Sequence, residues 1–328
     1  MPWPLFITML VLSALALAAC AYWAVVCFQV LRTWITLPTA RDGLALPDQP
    51  GTPKASVCIV IPAHNERHML PRCARSLARQ DWPDLRVIFA LDRCTDDTAQ
   101  ATRDALGTDP RFSIFEIDHC PAGWAGKVHA IWSAMRANPV AGTADMLLFA
   151  DADTVFEPGC VRACVALMEH RRLDLLSLLS TLDASHWFEK IVQPAAGMEL
   201  LRQYPPLRVN RPRDDARPFA NGQFLLFRRE IYERCGGHEA GKGELLEDIA
   251  LARHVWRVGG RGGLLFARGM LRCKMYESWG QFTRGWRRIF TESANCKPQR
   301  LRALSVRLVF TGVILPLAAL MALAAGLG

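Results

Sequence analysis

The sequence predicts an α/β protein: a mostly parallel sheet with helices on its faces, set between two apolar terminal helices. Three observations carry this. Short apolar runs alternate with segments of helical spacing, the rhythm of successive βα units. These runs are uninterrupted, as strands buried on both faces require, and nearly all end abruptly in polar residues. Residues 1–31 and 308–328 contain no charged side chain, and about 20 apolar residues are enough for a helix to cross a bilayer.

The elements follow in order. The first apolar run continues through residues 21–30 and lacks a basic leader, which separates it from a cleaved signal despite Leu17-Ala18-Ala19-Cys20. Residues 38–53 are Pro-rich and polar and read as a linker. Residues 56–61 form the first buried strand, ending at Pro62-Ala63-His64-Asn65-Glu66. A helix is predicted over 69–78, then a second strand over 85–91 that ends at Asp92. Thr95 or Asp96 can cap the next helix, which runs to Leu106. A third strand (112–117), a helix (126–137) and a fourth strand (146–150) complete a Rossmann-like series. Beyond it come a helix (158–170), a strand (173–181), a helix (187–204) and a charged loop (208–217). Short strands are predicted at 224–227 and 264–268, and helices at 229–235 and 247–258, each helix ended by a glycine pair. In residues 277–293, Trp279, Phe282, Trp286, Ile289 and Phe290 share one helical face, with Gln281, Arg284 and Arg288 opposite. Such a helix suits a membrane interface or the surface of the domain core.

Charge is unevenly spread. The chain of 328 residues carries a net +8, yet residues 253–307 hold 13 Lys or Arg against Glu277 and Glu292, a net of +11. A basic zone directly before an apolar segment suits an anionic lipid surface or a phosphate-bearing substrate. No nucleic-acid-binding motif accompanies it, so nucleic acid is not expected as a partner. Arg32 and Arg41 follow the first apolar segment; Lys297, Arg300, Arg302 and Arg307 precede the second. The positive-inside rule then puts the middle of the chain on the cytoplasmic side of the inner membrane. The 11 cysteines are scattered without a Cys-x-x-Cys pair, as reduced thiols would be. The expected organisation is a membrane helix at 1–31, a linker at 32–54, an α/β domain at 55–275, a basic amphipathic segment at 276–307 and a second membrane segment at 308–328, past which the natural chain is free to continue.

Candidate chemistry sits where strands end, because the ligand crevice of an open α/β sheet lies there. Asp151 and Asp153 are hard oxygen ligands suited to Mg²⁺ or Mn²⁺ shared with a diphosphate; they could equally cap the helix opened by Glu157-Pro158. Asp92 can accept from a base N–H or a ribose hydroxyl, or cap a helix. Lys127, one of six lysines among 39 basic residues, follows Gly123 and Gly126 at a helix start. That place suits phosphate oxygens, or a solvated lysine. Glu247 and Asp248 open a helix, where they complement its dipole or aim a base across the cleft; Glu244 lies nearby.

Four pieces stand in fixed order: the strand into Pro62-Ala63-His64-Asn65-Glu66, the strand into Asp92, the strand into Asp151-Ala152-Asp153, and Leu246-Glu247-Asp248. Over residues 57–286 they resemble glycosyltransferase family 2, whose members share the nucleotide-sugar-binding GT-A fold. Pro121-Ala122-Gly123-Trp124-Ala125-Gly126-Lys127 and Asn221-Gly222-Gln223 are similar to the membrane-bound branch that glycosylates lipids such as carotenoids, hopanoids or ceramide. The resemblance implies that Pro62, Ala63, Asn65, Glu66 and Asp92 hold base and ribose, that Asp151 and Asp153 engage metal and ribose, and that Asp248, beside Glu247, is the catalytic base. Many members carry two Asp at the second strand end; here Leu91 stands in the first place. Residues 281–286 resemble the family's Gln-x-x-Arg-Trp motif with one residue inserted, which leaves Arg284 as a diphosphate contact and shifts Trp286 out of register as an acceptor platform.

The combined expectation is an inverting, metal-dependent (Mg²⁺ or Mn²⁺), membrane-bound transferase. It would move a sugar from a nucleotide-diphosphate sugar to a lipid hydroxyl, with Lys127 or Arg284 neutralising the departing diphosphate. A processive polysaccharide synthase competes, but needs a channel that two spans hardly make. A non-catalytic, membrane-anchored sugar-nucleotide-binding protein is the third reading, and the oligomeric state is left open.

Overall fold

The computed structural model describes residues 3–47, 54–211, 217–294 and 296–326. Residues 48–53 of the expected linker and 212–216 of the expected charged loop lie outside these. The strands are β1 (Val57–Ala63), β2 (Leu85–Asp92), β3 (Phe112–Ile117), β4 (Met146–Phe149), β5 (Thr154–Phe156), β6 (Leu175–Leu179), β7 (Thr181–Leu182), β8 (Leu225–Arg228), β9 (Gly262–Phe266) and β10 (Leu271–Cys273). Seven of them form one sheet in the order β3-β2-β1-β4-β8-β6-β9; β5, β10 and β7 form a second, small one. β1 runs parallel to β2 and β4, β2 to β3, and β6 to β9. Only β8 opposes its neighbours β4 and β6 in the large sheet.

Alternation along the strands sorts the core into two layers. Ile59, Ile61 and Leu148 face the layer under helices Leu70–Ala78 and Cys160–His170. Cys58, Val60, Leu147 and Phe149 face the other, against helices Gly126–Ala137 and Glu247–Arg257. Because both faces are covered, the central strands can be apolar at every position.

Within the sheets the structure departs from the sequence expectation in two places. The strand expected over 173–181 is broken at Ser180, whose hydroxyl bonds the Gln223 side chain, and so becomes β6 and β7. β5 and β10 were not foreseen; each has three residues, and they exist by pairing antiparallel, Phe156 opposite Leu271. Of the two readings of the helix Trp279–Ser293, Phe282 follows the second: it is buried against Phe188 and Tyr276 in the domain core.

The chain divides into two units, residues 37–284 and the pair of terminal segments 1–36 and 285–328. In the terminal unit, helix Trp3–Thr36 packs with the helix Leu315–Gly326, burying Ala19, Leu315 and Ala318. Segments Phe6–Thr36 and Pro298–Ala324 are long and apolar enough to cross a membrane. The second starts earlier than the expected 308, because Pro298 opens a helix that carries straight into the apolar run. All 11 cysteines are free.

Candidate active site

The strand order turns at β1: β2 and β3 lie on one side and β4 on the other. In open α/β sheets the crevice beyond the strand ends at such a switch point holds the ligand. β1 delivers Pro62 and Ala63, both buried, and then His64, Asn65 and Glu66; β2 delivers Asp92; β4 runs into Asp151 and Asp153.

Lys127 is the centre of the arrangement. Its Nζ lies 2.5 Å from Asp151 Oδ1 and 2.5 Å from Glu247 Oε1. Burial acts to lower the lysine pKa, but the two carboxylates outweigh it and hold the ammonium well above its ordinary value. The same ion pair keeps the buried Glu247 below the usual carboxylate range against the opposing effect of burial. Lys127 thus ties the end of β4 to the start of helix Glu247–Arg257.

Asp248 stands beside this pair in a different state. Its Oδ2 accepts from Gly222 N at 2.7 Å and its Oδ1 from Ile249 N at 2.8 Å. Burial, reinforced by Glu247, raises its pKa to about 7, although Lys127 and the two N–H groups oppose this. Two adjacent carboxylates are therefore driven apart, one held ionised by a lysine and the other poised near neutrality; such separation is how acid–base roles are divided.

Asp153 adds a third carboxylate. Its Oδ1 is buried without a hydrogen-bond partner, and burial together with Asp151 pushes its pKa up to about 7. Burial likewise raises Glu66, with Glu277 and Asp151 adding to it. A buried, acceptor-only oxygen among crowded carboxylates fits a divalent cation with oxygen ligands. Among the described residues no three His, Cys, Asp or Glu side chains form a metal cluster. Asp151 and Asp153 would hold Mg²⁺ or Mn²⁺ as such ions are usually held, by one or two carboxylates plus substrate phosphate.

The nucleotide side of the crevice is tied internally. Asp92 is buried and takes a two-pronged bond from its neighbour, Arg93 Nε to Oδ1 at 2.9 Å and Nη2 to Oδ2 at 2.7 Å. Asn65 Oδ1 accepts from Thr95 N at 2.8 Å and its Nδ2 donates to Thr95 Oγ1 at 3.2 Å, clamping the β1 loop to the β2 loop. Asn65 and Arg93 both have positive φ, 55° and 48°, a conformation that costs energy in non-glycine residues and concentrates at ligand sites. Glu66 N donates to Thr98 Oγ1 at 2.8 Å. Arg284 is exposed and makes no hydrogen bond or ion pair among the described residues.

A family model for glycosyl transferase family 2 matches residues 58–236, more than half of the chain. The chain belongs to glycosyl transferase family 2. Its curated relatives include 4,4'-diaponeurosporenoate glycosyltransferases of Staphylococcus aureus, 26% identical over 200 residues that make up 60% of this chain and 50% of the relative. The chain thus spans about half the length of the curated relatives it matches. Among solved structures, a mannosyltransferase of Pyrobaculum calidifontis in complex with GDP-Man and Mn²⁺ superposes with a TM-score of 0.57, at 20% identity, over 96% of this chain and 86% of that one. Glucosyl-3-phosphoglycerate synthase of Mycobacterium tuberculosis gives 0.50 at 17% identity, over 79% and 87%. These likenesses show the fold: this family 2 member has the GT-A architecture.

Sequence reasoning did not single out Gly222 as part of the site. A Cβ built there would stand 3.1 Å from Lys127 Nζ, 3.2 Å from Asp248 Oδ2 and 3.4 Å from Glu247 Oε1. The one legible sign was a glycine between two side-chain amides, Asn221 and Gln223. His238 was also missed: buried against Phe149, it bonds Tyr232 through Nδ1 at 2.8 Å, and burial holds its pKa down to about 3. Nothing in its sequence neighbourhood distinguished it.

Proposed function

We propose that this family 2 member is an inverting glycosyltransferase that moves a sugar from a nucleotide-diphosphate donor to a lipid hydroxyl at the cytoplasmic face of the inner membrane. The observation that carries the reading is Asp248, half-buried at the head of a helix with a pKa near 7, next to the Lys127 ion pair with Asp151 and Glu247. The GDP-Man and Mn²⁺ bound by the Pyrobaculum enzyme support the donor and metal classes. The carotenoid-derived name of the Staphylococcus relatives and the two long apolar helices support the lipid acceptor and the membrane.

Residues 62–66 and Asp92 would hold base and ribose. Asp151 and Asp153 would hold Mg²⁺ or Mn²⁺, whose chemistry when bound is to offset charge on the departing diphosphate. The Lys127 ammonium, already beside Asp151, would meet phosphate oxygens. Asp248 takes the hydroxyl proton as the acceptor oxygen attacks the anomeric carbon; the bond from that carbon to the diphosphate breaks on the opposite face, so configuration inverts. Both Asp248 oxygens accept one backbone N–H, which fixes the carboxylate while leaving lone pairs for the proton.

The test is to incubate the full chain in lipid nanodiscs with labelled nucleotide sugars and candidate lipids, then extract the lipid phase. A single sugar on lipid is the expected product. A long polymer would favour a processive synthase, and donor binding without any product a non-catalytic binding protein; either outcome overturns the reading.

A further inference from the structure

Helix Trp187–Gln203 turns an apolar stripe outward and takes polar side chains inward. Trp187, Ile191 and Met198, which share one helical face, are 61%, 69% and 37% exposed, and Pro194 and Ala195 between them are exposed too. The buried side carries Glu189, Gln193 and Glu199 beside Phe188. A helix on a water-facing domain shows the reverse pattern, with its apolar stripe inward.

The inward polar groups are engaged, and Gln193 ties the helix to a segment outside it. Glu189 Oε2 accepts from Ser185 N at 2.9 Å and His186 N at 2.8 Å, closing the helix start. Gln193 Nε2 donates to Met275 Sδ at 3.5 Å, and Glu199 pairs with Arg202 at 3.1 Å. The apolar stripe also continues onto a neighbouring helix: the Trp279 ring stacks on Trp187 with centroids 5.3 Å apart and stays 46% exposed.

We propose that this stripe and Trp279 lie in the interfacial layer of a lipid bilayer, a second attachment of residues 37–284 besides the apolar terminal helices. The charge on the helix favours lipid over protein as the occupant. Its exposed residues include no acid; the charges it shows are Lys190 and Arg202, the latter paired with Glu199, and the Lys190 side chain makes no ion pair or hydrogen bond among the described residues. Paired tryptophans beside basic side chains are the composition of headgroup-level contacts, where an apolar body is buried and a cationic tip meets lipid phosphate. A second copy of the chain would instead bring like charges together. The chain itself supports the same occupant, since the Trp279–Ser293 helix leads within a few residues to Pro298–Ala324, long and apolar enough to cross a membrane.

The experiment reads lipid contact, not sugar transfer, so its failure is distinguishable from failure of the proposed activity. The full chain is placed in nanodiscs of mixed zwitterionic and anionic lipid doped with a lipid bearing a photoreactive diazirine high on its acyl chain. After irradiation, adducts are mapped by peptide mass spectrometry. Adducts are expected on peptides holding Ile191, Met198 and Trp279, beside those on the terminal helices. The double substitution Ile191→Asp, Met198→Asp should cut labelling of the 187–203 helix about tenfold while leaving that of residues 6–36 unchanged, as loss of an interfacial apolar face requires. Adducts confined to the terminal helices in the unmodified chain would overturn the proposal, and so would equal labelling of the variant or protein–protein cross-links at the stripe in place of lipid.

Discussion

Asp248 carries the sharpest prediction at the scale of single residues. Asp248→Asn keeps the shape and loses the base, so single-turnover transfer should fall by about 10²–10⁴-fold, the usual weight of general-base catalysis. Donor affinity by calorimetry should hardly change, because the variant touches neither Asp92 nor Asp151. Parental turnover in this variant would move the role to Glu247 or Glu244. The pH dependence follows from its raised pKa. The ionised base is needed, so the rate should rise with pH through about 7 and then level, a limb absent from the Asn variant. Stability has the opposite slope. A folded pKa above the unfolded one means that the unfolded chain binds fewer protons across the window from 3.8 to about 7, so the Asp248 contribution is lost as pH rises through it. Melting curves of the two proteins across that window check the sign. Gly222→Ala places a methyl 3.1 Å from the Lys127 ammonium and 3.2 Å from Asp248. Displacement of groups that must be held to within tenths of an ångström should lower turnover about tenfold or more with the fold intact; unchanged turnover would show that the pocket has slack.

At the scale of elements, β4 matters most, because it ends in the acids. Phe149 is fully buried there, packed on His238 at 4.5 Å, Tyr232 at 5.2 Å and Phe227 at 5.8 Å. Phe149→Ala should destabilise the protein by about 3–5 kcal/mol, the range for a large aromatic truncated in a core, measured as the shift in denaturant midpoint in detergent. A shift below about 1 kcal/mol would mean that β4 is not clamped as described. The same strand shows why so much of the fold was legible. Its neighbours cover both faces, so it is apolar throughout, and the acids must stand at its end. β5 and β10 left no comparable sign: three residues of one strand show no period, and their pairing was set by a partner more than 100 residues away.

For the whole molecule the prediction is metal dependence. The Asp153 oxygen buried without a partner beside Asp151 leads us to expect that thorough chelation abolishes transfer and that Mn²⁺ or Mg²⁺ restores it. Full activity of metal-free protein would sink the idea. The apolar ends of the chain were plain from composition alone, since a charge-free run needs no partner to be recognised. Their limits were not: the first helix runs on through Arg32 to Thr36, and the second begins at Pro298 among basic residues. Helical hydrogen bonding is local and continues until a breaker stops it, whatever the charge.

The sequence by itself determined the alternation of elements, the two-sided burial of the central sheet and the placing of Asp92, Asp151 and Asp153 at strand ends. These are local consequences of where apolar runs start and stop. Only the tertiary structure decided which distant groups meet. It spent Lys127 on Asp151 and Glu247 and set Gly222 against Asp248. It also decided which face of helix Trp187–Gln203 points outward. Periodicity can mark a helix with two unlike faces, but which face is buried depends on what packs against it; here Met275 meets Gln193 and Phe282 meets Phe188, which leaves the apolar stripe to the surroundings.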